Sequence, residues 1–85
     1  MTAVELRLLL LSHFPGAVIT VLGKDANFSV EIVTPEFENI NNLNRKKKVL
    51  SAVKEQISSG VIHSFSVQAY THKEWQQDSN SLIVL

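Results

Sequence analysis

Cysteine is absent from this 85-residue sequence, which also contains only two prolines and three glycines. Without thiols, the chain alone cannot build a disulfide scaffold, a thiolate nucleophile, or a zinc or iron–sulfur site with cysteine ligands only. A metal centre of that kind would need ligands from a second molecule.

Long apolar runs are also missing. The longest is the leucine cluster at residues 8–11, far below the ~20 residues that a membrane-spanning helix needs. No basic segment followed by a small-residue cleavage site precedes it. We therefore expect a cytoplasmic protein with no membrane contact.

The composition predicts one small folded domain. Apolar residues make up 45% of the chain and charged residues 19%, which favours a packed core over disorder. We assign the domain to residues 1–78 and a C-terminal tail to residues 79–85. A domain this small has little room for a deep cavity, so binding through its surface is the better expectation.

Local signals predict six elements in the order α-β-β-α-β-α. Thr2 and Glu5 have the spacing of a capping box, and Thr71 and Glu74 repeat it before a short helix that carries Trp75. Between them the apolar patterns indicate three strands and a long helix that ends at Gly60. The predicted elements span residues 3–13, 17–22, 28–33, about 42–60, 61–70, and a short final helix.

These elements predict a two-layer α+β sandwich. The first two strands form a hairpin, and the crossover through the long helix makes the third strand parallel to the second if the two are neighbours. The result is a three-stranded mixed sheet with helices on one face. Leu43, Leu50, Val53 and Ile57 are expected to form the buried side of the long helix, and Trp75 to anchor the last helix in the core.

His63 is the first residue that could take part in chemistry. It shares the strand phase of Phe65 and Val67 but precedes most of the strand, so its ring is expected at the rim of the apolar face. Imidazole is a common metal ligand, and a half-buried histidine bonded to a backbone carbonyl is the simpler interpretation. His13 and His72 are expected on the surface near helix ends. No histidine spacing predicts a metal site made by this chain alone.

A block of positive charge is the second such feature. Residues 44–54 contain five cationic side chains and no acidic one, although the net charge of the chain is zero. At ~100° per residue, four consecutive helical positions surround the axis, so the run forms a collar rather than a stripe. The run is either a solvated helix surface or a site for nucleic-acid phosphates, formed by Arg45, Lys46, Lys47 and Lys48.

Enzyme motifs are missing. The sequence has no G-x-G-x-x-G, no P-loop and no G-x-S-x-G elbow, and its carboxylates are scattered over predicted polar faces. We predict no catalytic residue and no enzymatic activity.

The segment that contains His63 resembles the signature of BolA-like proteins. Residues 62–75 read I-H-S-F-S-V-Q-A-Y-T-H-K-E-W, where the family typically has I-H-A-L-S-hydrophobic-x-A/T-Y/F-T-P-x-E-W. Residues 28–37 are similar to the second strand of the family and the turn after it. The altered stretch at residues 41–50, with its extra lysines, resembles the bacterial IbaG-like branch. The resemblance implies a class II KH-like fold.

The resemblance also implies a function. BolA-like proteins are non-enzymatic partners of monothiol glutaredoxins in iron–sulfur cluster handling, iron homeostasis and stress response, and some bind DNA as transcription regulators. By position, His63 is the signature histidine that ligates a [2Fe–2S] cluster shared with glutaredoxin and glutathione. Such a shared site suits a chain without cysteine.

One departure from the family affects the metal site. Members commonly carry His or Cys in the hairpin loop where this chain has Asn27, and asparagine is a poor iron ligand. His63 is then the single ligand that this chain contributes. The competing hypothesis is a DNA-binding regulator that uses the basic collar, although the G-x-x-G loop of RNA-binding KH domains is absent. Alone, the chain is expected to be a monomer or a weak homodimer.

Overall fold

The computed structural model describes the backbone of residues 1–83 and the side chains of residues 1–77. The elements in this part of the chain confirm the predicted order, with the long helix divided in two. They are α1 (Ala3–His13), β1 (Val18–Lys24), β2 (Asn27–Val33), a 3-10 helix (Pro35–Phe37), α2 (Asn42–Ala52), α3 (Lys54–Ser58), β3 (Ser64–Tyr70) and α4 (His72–Ile83).

The sheet has the predicted mixed topology. Its strand order is β1-β2-β3, with β2 antiparallel to β1 and parallel to β3. In the register, Val30 pairs with Val21 on one side and with Val67 on the other. β2 is therefore the central strand, and β3 has one edge without a strand partner in the described part of the chain.

The core lies between one face of this sheet and the helices α1 and α2. Strand alternation directs Phe28, Val30 and Ile32 of β2 to this face, where all three are buried. Leu6 and Leu10 of α1 meet them as a helical i, i+4 pair with no exposed surface. The core also includes Phe14, Ala17, Ile19, Phe37, Val49, Val53, Ile62 and Val67.

Local caps begin the helices as the sequence predicted. Thr2 and Glu5 form a complete capping box at α1. The Oδ1 atom of Asn41 accepts a hydrogen bond from the backbone N–H of Asn44 and caps α2. Gly60 follows the end of α3 with φ +82°, a conformation that L side chains rarely adopt.

The predicted buried side of the long helix is confirmed at Val53 and wrong at its other three positions. Leu43 is 62% exposed, and Leu50 and Ile57 are also exposed, whereas Arg45, Val49 and Val53 face the core. The apolar pattern misplaced this face because it treated Arg45 as a surface residue. A long arginine side chain can bury its aliphatic stem when its guanidinium group finds partners.

The last helix also differs from the prediction. His72 and Trp75 of α4 border a small cavity with Val18, Thr20, Glu31 and Val33, which lie on the sheet face opposite the core. Trp75 is 37% exposed and packs on Tyr70, with ring centroids 5.6 Å apart, so it anchors α4 outside the core.

The predicted C-terminal tail at residues 79–85 lies partly within α4, which continues to Ile83. The last two residues of the tail, Val84 and Leu85, lie outside the described residues. The domain boundary at residue 78 stays a prediction. In the described part of the chain, no helix combines the length and apolar character needed to span a bilayer.

Candidate functional site

His63 lies in the loop before β3, and its side chain is exposed. Its backbone N–H donates a hydrogen bond of 2.7 Å to the carbonyl oxygen of Ala26, in the turn of the hairpin. The same oxygen accepts the N–H of Ser64 at 3.1 Å. The backbone at His63 is thus fixed against the hairpin while the ring extends from it.

The ring itself has no internal partner. Among the side chains and backbone groups that the structure describes, no hydrogen bond or ion pair engages either ring nitrogen of His63. The expected partial burial was wrong, as was the simpler interpretation of a histidine bonded to a carbonyl. The reason is the loop position: Ile62, not His63, enters the core, with 2% of its surface exposed.

Gly60 leaves space beside this ring. A Cβ atom built on Gly60 would lie 3.9 Å from Nε2 of His63, which is ordinary van der Waals contact. The φ of +82° would strain any L side chain at this position. Gly60 therefore ends the preceding helix next to the His63 ring.

Asn27 is the neighbouring position on the hairpin. It opens β2 and pairs with Ser64, one residue after His63, so the two positions compared with family ligands are adjacent in the sheet register. Asn27 is exposed. Within the described residues, no group of three or more His, Cys, Asp or Glu side chains has the arrangement of a metal site. Among the described residues, His63 is the one histidine at this end of the sheet.

The basic collar is divided by the fold. Lys47 and Lys48 border a groove of about 540 Å³ between α1 and α2, together with His13, Phe14, Glu36, Asn44, Ser51 and Ala52. We call this the α1–α2 groove. Lys46 lies on another side of the helix and borders a cleft on the sheet face opposite the core. The expected encircling arrangement is thus present, but the lysines face different surfaces.

Arg45 does not belong to the accessible collar. It is 6% exposed, and its Nε and Nη1 donate to the carbonyl oxygens of Ile40 and Ala69 at 2.7 and 3.2 Å. Nη1 and Nη2 also bind the two carboxylate oxygens of Glu74 at 2.6 and 3.1 Å. The prediction that Arg45 is available to phosphate needs this correction, because these four hydrogen bonds occupy its guanidinium group.

The three lysines lie beyond the first turn of α2. The helix begins at Asn42, so only Arg45 of the basic run is in the first turn, and the lysines follow it. Helix-dipole effects fall off within the first turn. The lysines therefore carry little penalty from the helix dipole.

The Arg45–Glu74 pair is the feature that sequence reasoning missed. Glu74 was recognised only as the second half of a capping box with Thr71, and that box is present. The hydrogen bond from Arg45 is the main cause that lowers the pKa of Glu74 to about 2, with the Thr71 backbone N–H second. The pair ties the start of α4 to α2. The available signal was that Glu74 occupies the glutamate position of the family signature.

Comparison with known proteins agrees with this architecture. A family model of BolA-like proteins matches residues 12–74. A protein of Acinetobacter guillouiae from the rpoN–murA intergenic region is 30% identical over 79 residues, which cover 93% of this chain and 95% of the relative.

Solved structures show the same fold. A BolA homologue from Coxiella burnetii superposes with a TM-score of 0.79 at 22% identity, covering 89% of this chain and 97% of that one. Yeast Fra2 superposes with a TM-score of 0.72 at 32% identity, covering 88% and 84%. On the family match, the relative and the shared fold together, the chain belongs to the BolA-like family.

Proposed function

We propose that this chain is a non-enzymatic, BolA-like partner of a monothiol glutaredoxin, acting in iron–sulfur cluster handling and through it in iron homeostasis or stress response. The observation that carries the proposal is the state of His63: its ring is exposed, has no hydrogen bond to any group among the described residues, and extends from a backbone that is held in place. Ligation by this ring would break no bond within the fold.

The chemistry of the chain supports a shared site. Imidazole is an established ligand of [2Fe–2S] centres, where it replaces cysteine on one iron. This chain has no thiolate of its own, so the other ligands must come from the glutaredoxin and from glutathione. His63 would hold one coordination position, and Asn27 offers no second strong ligand. The cytoplasmic location stays a prediction.

Reconstitution with matched variants tests the proposal. The chain is mixed anaerobically with a monothiol glutaredoxin, iron, sulfide and glutathione, and the visible absorption and circular dichroism of the mixed species are recorded. We expect His63→Ala to change the spectrum and shorten the lifetime of the species, and His72→Ala, an exposed histidine elsewhere, to leave both unchanged. An unchanged spectrum with His63→Ala would contradict the ligand assignment.

A gain-of-ligand variant sharpens the same test. Position 27 is adjacent to His63 in the register, so Asn27→His would supply a second imidazole at this end of the sheet. We expect the visible absorbance of the mixed species to decay more slowly. Titration of the chain with apo-glutaredoxin measures docking without metal, which separates loss of a ligand from loss of the interface.

A second candidate function is nucleic-acid binding through the α1–α2 groove. The observation that favours it is the presence of Lys47 and Lys48 in one groove with His13. Neither lysine has an ion-pair partner in the described part of the chain, where the one salt bridge is Arg45–Glu74. Cations without partners are what phosphate contacts require.

Salt dependence tests this candidate. Binding to duplex DNA is measured from low to physiological salt for the parent chain and for Lys47→Glu with Lys48→Glu. We expect weaker binding and a log–log salt slope reduced by roughly 0.9 for each phosphate that the double variant no longer neutralises. Lys46→Glu is the matched control, because Lys46 borders a different surface. Equal DNA affinity of the parent and the double variant would contradict the candidate.

A further inference from the structure

The sheet face opposite the core contains a cleft that the proposed function does not use. We call this surface the open face. Its cleft has a volume of about 400 Å³, which lies within the ~300–1,000 Å³ range typical of small-molecule sites. The residues that border it with their side chains come from all three strands and from α2: Thr20, Leu22, Ser29, Glu31, Ser66, Gln68 and Lys46.

Two opposite charges border this cleft. Glu31 is half-buried on the central strand, and Lys46 approaches from α2 beside the outer strand. Neither side chain forms a salt bridge or a hydrogen bond with any group in the described part of the chain. A half-buried carboxylate without partners loses hydration and gains nothing in exchange.

The remainder of the cleft is suited to a polar ligand. The hydroxyl groups of Ser29 and Ser66 are 2.8 Å apart and bond to each other across β2 and β3. The side chain of Gln68 adds an amide group, and Leu22, 66% exposed, forms an apolar wall. The cleft therefore has one cationic group, one anionic group and several hydrogen-bonding groups among the residues that border it.

We propose that the open-face cleft binds a small zwitterionic ligand of the amino-acid or short-peptide class. The ammonium group of the ligand would pair with Glu31 and its carboxylate with Lys46. Charge complementarity argues for this class, since a simple anion would face the carboxylate of Glu31 and a simple cation would face the ammonium of Lys46. The proposal is independent of the glutaredoxin hypothesis, because His63 does not border the cleft.

Capped peptides test the charge pairing directly. Trialanine is titrated into the isotopically labelled full chain, and amide chemical shifts are followed by nuclear magnetic resonance. We expect shifts at Ser29, Glu31, Ser66 and Gln68. Blocking either terminus, as N-acetyl-trialanine or as trialanine amide, removes one charge and should weaken binding roughly 2- to 5-fold, the range for exposed ion pairs.

Variants connect each charge of the ligand to one residue. Glu31→Gln should bind trialanine and its N-acetyl form equally, and Lys46→Gln should bind trialanine and its amide equally. Lys47→Gln, the adjacent lysine in the α1–α2 groove, should keep both preferences, and His63→Ala should bind as the parent does. Tighter binding of free alanine than of trialanine, with the same dependence on Glu31 and Lys46, would identify the ligand as an amino acid.

Three results would overturn the proposal. One is the absence of residue-specific shifts on the open face at millimolar trialanine. Another is an equal loss of affinity in Lys46→Gln and Lys47→Gln, which would indicate only general electrostatics. The third is a set of shifts at the same amides that depends on protein concentration without peptide, which would assign the cleft to a second copy of the chain.

Discussion

The two faces of the sheet use the same strands in opposite ways. On the core face, β2 presents Phe28, Val30 and Ile32, which are buried under α1 and α2. On the open face, the same strand presents Ser29 and Glu31, which border a cleft. The core face therefore contributes most of the stability, and the open face leaves polar side chains accessible for binding. His63 lies outside both faces, and its backbone is bonded to the hairpin.

The largest expected difference in stability is between substitutions at Glu31 and Ile32, adjacent residues on opposite faces of the sheet. Ile32 has no exposed surface, so Ile32→Ala should lower the free energy of unfolding by roughly 2–5 kcal/mol through reduced burial and a residual cavity. Glu31→Ala should change it by no more than about 0.5 kcal/mol. Urea denaturation of both variants measures the contrast. A comparable loss in Glu31→Ala would mean that the open face contributes as much to stability as the core face does.

The ion pair that joins α4 to α2 should have the next largest effect. Glu74→Gln leaves the buried guanidinium group of Arg45 without its carboxylate and should lower the free energy of unfolding by roughly 1–3 kcal/mol. The exposure of Glu74, 44%, keeps the effect below that of a fully buried pair. Glu55→Gln, an exposed carboxylate on α3, is the control. Equal stabilities of the two variants would show that water replaces the pair without loss.

The same pair makes part of the stability dependent on pH. Because the pKa of Glu74 is lowered from its ordinary 4.5 to about 2, its contribution is complete above pH ~4.5 and is lost as the pH falls through about 2. The stability difference between the parent and Glu74→Gln should therefore narrow across this acid range. A backbone hydrogen bond from Thr2 also lowers the pKa of Glu5, but this effect is common to both proteins and cancels. A difference that stays constant to pH 2 would contradict the assignment.

The smallest expected change in stability is for substitution of His63, the candidate metal ligand. His63→Ala removes an exposed ring without internal hydrogen bonds, so the free energy of unfolding should stay within about 0.5 kcal/mol of the parent. The adjacent Ile62→Ala, in the core, should lower it by roughly 2–5 kcal/mol. Thermal and urea unfolding measure both. A destabilised His63→Ala would indicate a structural role for the ring.

Local signals were enough to predict most of the fold. Strand alternation at residues 28–32 and the capping pairs at Thr2 and Thr71 are read from neighbours a few positions apart. The parallel pairing of β2 and β3 followed from the crossover between them. These features need no knowledge of tertiary contacts.

The errors share a physical cause, because each depends on contacts between distant segments. Arg45 is buried where it forms an ion pair with Glu74, which is 29 positions later in the sequence. No hydrophobic periodicity predicts such a pair. The same contact changes the buried side of α2 and leaves Leu43 in solvent. The exposure of His63 depends on its loop, whose backbone is held by a hairpin far away in the sequence.

The carbonyl of Ala26, which accepts both His63 and Ser64, has a consequence for recognition. That junction joins the hairpin to the start of β3, so it forms only when these two segments, distant in the sequence, are in contact. A partner that binds His63 beside the hairpin would bind folded molecules and not partly folded ones. By mass action, the partner would also raise the free energy of unfolding by about 2.7 kcal/mol when its free concentration is a hundredfold above its Kd.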